Sequence, residues 1–196
     1  MTAPRRAVYL THPEVEIDPV VPVPDWGLSD AGVARATALA RRLGQLDNTQ
    51  VVSSAERKAV ALGELLAVRS GRPLAVTPAM HENDRTATGF LPGPEFEATA
   101  DAFFADPDRS VCGWETARDA QARIVAQVQA ALARYAPAHL VFCGHGAVGS
   151  LLYCHLAGVP IDRRWDQPGP GHWFAFDIAT GTPAGHWRPM ETLTAM

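Results

Sequence analysis

The sequence has little cysteine: three residues, Cys112, Cys143 and Cys154. An odd count with no Cys-x-x-Cys pair and no zinc spacing argues against a disulfide framework or a zinc knuckle. The three are read as small core or near-core residues in a reducing compartment. Long apolar runs are also missing. Residues 7–10, after Arg5 and Arg6, are too few for a secretory leader, and the run at 140–143 falls far short of the ~20 residues of a membrane span. The chain is therefore expected to be cytoplasmic, with no membrane partner. Nor is there a block of like charge, since the formal net charge of −4 is spread over 196 residues. A broad nucleic-acid surface needs clustered cations, so no nucleic-acid partner is expected. Repeats and low-complexity tracts are lacking too, and the Pro-rich stretches at 19–24 and 91–94 are too short to separate domains.

What the chain does have is 47% hydrophobic residues, enough for a full core, arranged in alternating strand-like and helix-like segments. Residues 7–11 read as a strand. Ser29 reads as an N-cap with Asp30 in the first turn, ahead of Val33, Ala36, Ala40 and Leu43 at helical spacing. A second strand is expected at 49–53. A helix follows at 55–70, striped by Leu62, Leu65 and Leu66 and stopped by Gly71, Arg72 and Pro73. A third strand is expected at 74–77, an irregular stretch at 81–95, helices at 96–105 and 114–135, a strand at 140–143 and a helix at 147–157. Further strand candidates are 173–176 and 186–187. Such alternation predicts an α/β fold: a three-layer α/β/α sandwich with a mostly parallel central sheet. One domain is expected over 1–196, with an inserted lid or loop region at about 81–110. In parallel sheets, ligands sit beyond the carboxyl ends of the strands.

Two expected strands end in histidine, at Thr11-His12-Pro13-Glu14 and at Cys143-Gly144-His145-Gly146. A parallel sheet would bring both imidazoles to one edge, where a nucleophile and a charge stabiliser could serve phosphoryl transfer. A lone histidine at a strand end is more commonly just a hydrogen-bonded residue. The flanking glycines allow close approach of an anion to a helix N-terminus, or simply a tight turn. The second strand ends in Ser53-Ser54-Ala55-Glu56-Arg57-Lys58-Ala59. Cations in a first helical turn oppose the macrodipole unless an anion is bound there; the plainer reading is an exposed turn offset by Glu56. After the third strand comes His81-Glu82-Asn83-Asp84-Arg85, in which Glu82 is a general acid if buried and an ordinary carboxylate if not.

A different class also fits part of the pattern. Gly144-His145-Gly146-Ala147-Val148-Gly149 matches G-x-G-x-x-G after a strand, with Asp166 about 20 residues on, as in dinucleotide-binding proteins. Pro160 and the charges around it make a poor next strand, and little chain remains to complete such a half. A metal hydrolase is disfavoured because none of the seven histidines stands at H-E-x-x-H or H-x-x-E-H spacing.

Taken in order, Thr11-His12-Pro13-Glu14, Leu28-Ser29-Asp30-Ala31-Gly32, the Ser53–Ala59 segment, Glu82 and Gly144-His145-Gly146 resemble the histidine phosphatase superfamily, the phosphoglycerate mutase-like fold. The likeness runs from about residue 6 to 176. It implies a phosphomonoester hydrolase acting on a small organic phosphate through a phosphohistidine, with no cofactor and no metal. The partner would be a small phosphorylated substrate or phosphate ion, and a homodimer is left open. His12 would be the nucleophile, His145 the stabiliser of the transferring group and Glu82 the proton donor. Lys58 falls where the family has a phosphate-binding arginine, with Arg57 beside it. Thr11, Ser29 and Arg85 would join them as phosphate-binding residues; Ser29 falls where a threonine is common and Asp18 where an asparagine is. The family motif Arg-His-Gly is here Thr11-His12-Pro13, so one pocket arginine is missing and lysine replaces another; Arg57 or Arg85 would compensate. Lysine supplies a point charge but no planar fork. Two alternatives share the fold: a catalytically weak or inactive phosphate-ligand binder, and a phosphoglycerate mutase-type phosphotransferase. Phe90, Leu91, Phe96 and the region of Trp26 form either an apolar rim for the ligand or plain core.

Overall fold

The structure, a computed structural model, describes residues 5–194. One six-stranded sheet carries the fold, built from β1 (Arg6–Thr11), β2 (Thr49–Ser54), β3 (Ala75–Thr77), β4 (His139–Gly144), β5 (His172–Asp177) and β6 (Arg188–Pro189). Their order is β3-β2-β4-β1-β5-β6. The β1–β4, β2–β4 and β2–β3 pairs are parallel, while β5 runs antiparallel to β1 and to β6. This is the expected mostly parallel sheet with one reversed strand.

Alternation of side chains along the central strands splits the core in two. Ala7, Tyr9, Leu140 and Phe142 face one side, with Phe103 and Phe104 of α3 (Gly93–Ala105), Ile124 and Val128 of α4 (Ala117–Arg134) and Val148, Leu151 and Leu152 of α5 (Gly146–Ala157). Val8, Leu10, Val141 and Cys143 face the other. There they meet Ala36, Leu39, Ala40 and Leu43 of α1 (Asp30–Leu43) and Leu62 and Leu66 of α2 (Arg57–Ser70). Strands buried on both faces in this way form the middle of a three-layer sandwich. No helix among the described residues is long and apolar enough to cross a membrane.

Local signals act as the chemistry requires. The Ser29 side chain caps α1 by accepting from the Gly32 N–H at 3.2 Å. Gly71, in the left-handed region at φ 65°, ends α2. Three expectations need correction. The late strand lies at Arg188–Pro189, not 186–187, because Trp187 turns inward against Tyr9 and Phe174; Pro189 is tolerated there on a short edge strand. Cys112 is exposed, whereas Cys143 and Cys154 are buried as expected. The irregular stretch expected at 81–95 is shorter, since α3 begins at Gly93 rather than at 96.

Candidate active site

The carboxyl ends of β1 and β4 lie side by side: the His12 N–H donates to Gly144 O at 3.0 Å, extending the ladder past the strands. His12 and His145 follow directly, and their ring centroids are 5.4 Å apart with the planes at 67°. Residues separated by most of the chain thus share one edge because their strands are neighbours.

A hydrogen bond assigns the His12 tautomer. His12 Nδ1 lies 2.8 Å from Pro13 O, which can only accept, so Nδ1 carries the proton and Nε2 keeps its lone pair. Burial pushes the His12 pKa down to about 4 against the bond to Pro13, and the Lys58 charge adds to the fall. The ring is neutral and nucleophilic near neutral pH. His145 is fully buried. Its Nε2 lies 2.8 Å from Ser54 Oγ, which also accepts from the Glu56 N–H, and 3.5 Å from Glu56 Oε1. Nδ1 of His145 is a buried nitrogen without a hydrogen-bond partner among the described residues. Burial also lowers the His145 pKa.

Tyr9 fixes this second histidine from below. Its buried hydroxyl accepts from the His145 N–H at 3.2 Å and donates to His145 O at 3.3 Å. The glycines around His145 are explained by contacts rather than by a dinucleotide. A Cβ at Gly144 would collide with the Tyr9 hydroxyl, and one at Gly149 would come 2.5 Å from the Tyr9 ring. One at Gly146 would come 2.5 Å from the Gln167 side chain. Asp166, the expected ribose contact, instead accepts from Ser150 Oγ at 2.6 Å.

Glu82 lies over the start of α5, where its carboxylate accepts from the N–H groups of Ala147 at 3.1 Å and Val148 at 3.0 Å, and from Asn83 at 3.0 Å. Its pKa is raised: burial outweighs these donors, and the nearby Glu56 charge adds to the rise. The helix-end N–H groups expected to hold an anion are therefore partly occupied by a protein carboxylate. Arg123 of α4 props the segment from behind by donating to the carbonyls of Ala79, His81 and Glu82, and pairs with Glu115 at 2.7 Å.

Lys58, only 4% exposed, points into the same region, but its ammonium pairs with Glu56 and donates to Val23 O at 2.9 Å. Arg85 borders the cavity beside the site, with its guanidinium 4.9 Å over the Phe96 ring and no carboxylate within ion-pair distance among the described residues. The remaining residues singled out in the sequence are turned to other surroundings. Ser29 is occupied as the α1 cap. The exposed Arg57 lies along Gly27. Thr11 is buried, donating to Gln167 Oε1 at 2.6 Å and accepting from the His172 N–H at 2.9 Å. Asp18 accepts from the Val20 N–H in its own turn.

Two residues of the site carried no sequence signal of their own. Glu56 stood out only as a charge offset, and Tyr9 only as one apolar position in a strand. The spacing of Gly144 and Gly149 was the trace Tyr9 left. Among the described residues no group of three or more His, Cys, Asp or Glu is arranged to hold a metal ion.

A cavity of about 610 Å³ opens next to these groups. Pro19, Val20, Val21, Pro24 and Phe90 form its apolar wall, and Glu56, Glu82 and Arg85 lie along its polar side. Trp26 backs Phe90 at 5.9 Å, whereas Leu91 and Phe96 pack against the first core.

A model of the histidine phosphatase superfamily (branch 1) matches residues 15–184. No curated protein gives a match in sequence. Among solved structures, a mycobacterial glucosyl-3-phosphoglycerate phosphatase superposes with a TM-score of 0.73 at 22% identity, covering 99% of this chain and 100% of its own. Bacillus stearothermophilus YhfR gives 0.77 at 19% identity, covering 91% and 93%. Entamoeba histolytica phosphoserine phosphatase, in complex with 3-phosphoglyceric acid, gives 0.76 at 15% identity, covering 96% and 99%. At these identities the likeness is one of fold.

Proposed function

Because the chain belongs to the histidine phosphatase superfamily (branch 1), we propose that it hydrolyses a small organic phosphomonoester through a phosphohistidine on His12, without a metal. The observation that carries this reading is the facing pair of imidazoles, one with a free lone pair and the other with an unpartnered ring nitrogen.

In the first step His12 Nε2 attacks phosphorus, an N–P bond forms, and the bond to the ester oxygen breaks. Glu82, whose pKa burial raises, gives its proton to the departing alkoxide when it is in the acid form. The Nδ1–H of His145, the remaining N–H of Lys58 and Arg85 are the donors for the phosphoryl oxygens. In the second step water attacks phosphorus, its proton passes to Glu82, and the N–P bond breaks to release phosphate and neutral His12. The apolar wall of the cavity favours an ester of an apolar alcohol over a densely hydroxylated or carboxylated one.

The test is turnover of p-nitrophenyl phosphate together with trapping of an acid-labile phosphoenzyme. Both are expected in the unaltered chain and neither in His12→Ala; activity that survives His12→Ala defeats the proposal. A second reading, a phosphate binder with little turnover, is supported by the Glu56–Lys58 pair, which takes up charge that the anion would otherwise meet. Phosphate binding without any phosphoenzyme would select it.

A further inference from the structure

Glu56 stands immediately ahead of α2 and is 8% exposed. It is surrounded by the groups that would meet a phosphoryl oxygen. One carboxylate oxygen pairs with Lys58. The other accepts from the Glu82 N–H at 2.8 Å and lies 3.5 Å from His145 Nε2. Its backbone N–H donates to the Ser54 hydroxyl that serves His145. The side chain also borders the 610 Å³ cavity. A fixed anion therefore sits inside a pocket read as anion-binding.

We propose that Glu56 is a specificity-determining residue of this site: by neutralising Lys58 it makes the pocket favour a singly charged phosphate ester over a doubly charged one. This rests on the reading that the site takes a phosphoryl group. The charges facing the ligand are few. Lys58 and Arg85 are cations, Glu56 is an anion, and Glu82 is neutral when it serves as the acid. His81 lies on the same loop as Asp84, and Asp84 adds a carboxylate at the exposed rim. His12 and His145 are held neutral by burial. The inner pocket then carries one net positive charge with Glu82 protonated and none with Glu82 ionised, so at most a monoanion is balanced. A dianion leaves an uncompensated charge in a poorly solvated place, and that is costly. Burial alone would raise the Glu56 pKa, but the Lys58 charge and the hydrogen bonds from Lys58 and the Glu82 N–H outweigh it and hold it well below the usual carboxylate range. The carboxylate therefore does not yield by taking up a proton under ordinary conditions.

The experiment compares phenyl phosphate with its methyl diester, one charge apart and sharing the ring that suits the apolar wall. Calorimetric titration of the full chain at about pH 8 keeps the monoester doubly charged. In the unaltered protein the dianion is expected to bind no more tightly than the diester. In Glu56→Gln the dianion is expected to gain about tenfold or more, and the diester less than about threefold. A wild-type preference of about tenfold for the dianion overturns the proposal, as does a folded Glu56→Gln protein without the gain. The wild-type comparison decides the matter even if Glu56→Gln fails to fold, which thermal melting reveals. The two ideas fail separately. Turnover with the charge preference reversed removes the role of Glu56 and leaves the hydrolase. The expected charge preference without any phosphohistidine does the opposite. If neither ester binds either protein, both ideas fall.

Discussion

Tyr9 holds His145 by its backbone rather than its ring, through one hydroxyl that both accepts and donates. Tyr9→Phe strands the buried His145 N–H, while His145 O keeps the Gly149 N–H, so a loss of about 1–3 kcal/mol in denaturant-measured stability is expected. Glu82→Gln removes the proton donor while keeping shape. It is expected to lower kcat by about 10²–10⁴-fold on esters of poor leaving groups, with little change in KM. The pH profile follows from the same two residues. Activity falls on the acid side as His12 Nε2 takes up a proton at about pH 4. On the alkaline side it falls as Glu82 ionises above the ordinary carboxylate range, and that limb is expected to vanish in Glu82→Gln. His12, His145 and Glu82 were legible in the sequence because each follows a recognisable strand. Glu56 was not: a carboxylate two positions before a lysine reads as a local charge offset. Only the fold shows that its other oxygen meets the Glu82 backbone and approaches His145. Thr11 and Arg57 were expected near phosphate for the converse reason. Direction is set by the pleat and the helix face: Thr11 bonds Gln167, and Arg57 lies exposed along Gly27.

At the scale of elements, α5 touches β1 through glycine. Gly149→Ala would place a methyl 2.5 Å from the Tyr9 ring and 2.9 Å from Trp187. Overpacking of about 1–3 kcal/mol is expected, visible as a lowered melting temperature, although alanine is the better helix former. Arg123 couples α4 to the Glu82 segment by holding three carbonyls. Arg123→Met is expected to reduce kcat more than phosphate affinity, because Glu82 loses its support while Lys58 and Arg85 stay in place; equal losses in both would count against a positioning role. Helix starts were readable where a side chain does the capping, as at Ser29. The last strand was misplaced by two residues because aromatic, β-favouring Trp187 is used for packing and not for pairing. Short edge strands are set by tertiary contact more than by propensity.

For the whole molecule, acid should act through the buried imidazoles. His12 has a folded pKa below its ordinary 6.5, so between 6.5 and about 4 the unfolded chain binds more protons. Its contribution to stability is complete above pH 6.5 and is lost as pH falls toward 4; His145 acts in the same direction. Glu56 contributes above its ordinary 4.5 and loses that contribution only as pH falls through about 2. Urea midpoints are expected to drop between pH 7 and pH 4.5, and to drop less in His12→Asn. The order of the sheet has a further consequence, for synthesis. The first strand made lies between β4 and β5, so neither of its hydrogen-bonding neighbours exists until residue 139 has left the ribosome. Until then the edges of β1 stay open, although α1, α2, β2 and β3 can already pack on one another, and this open strand makes the nascent chain a natural client for chaperones. A translational pause before β4 would lengthen that interval, whereas one after β5 would not.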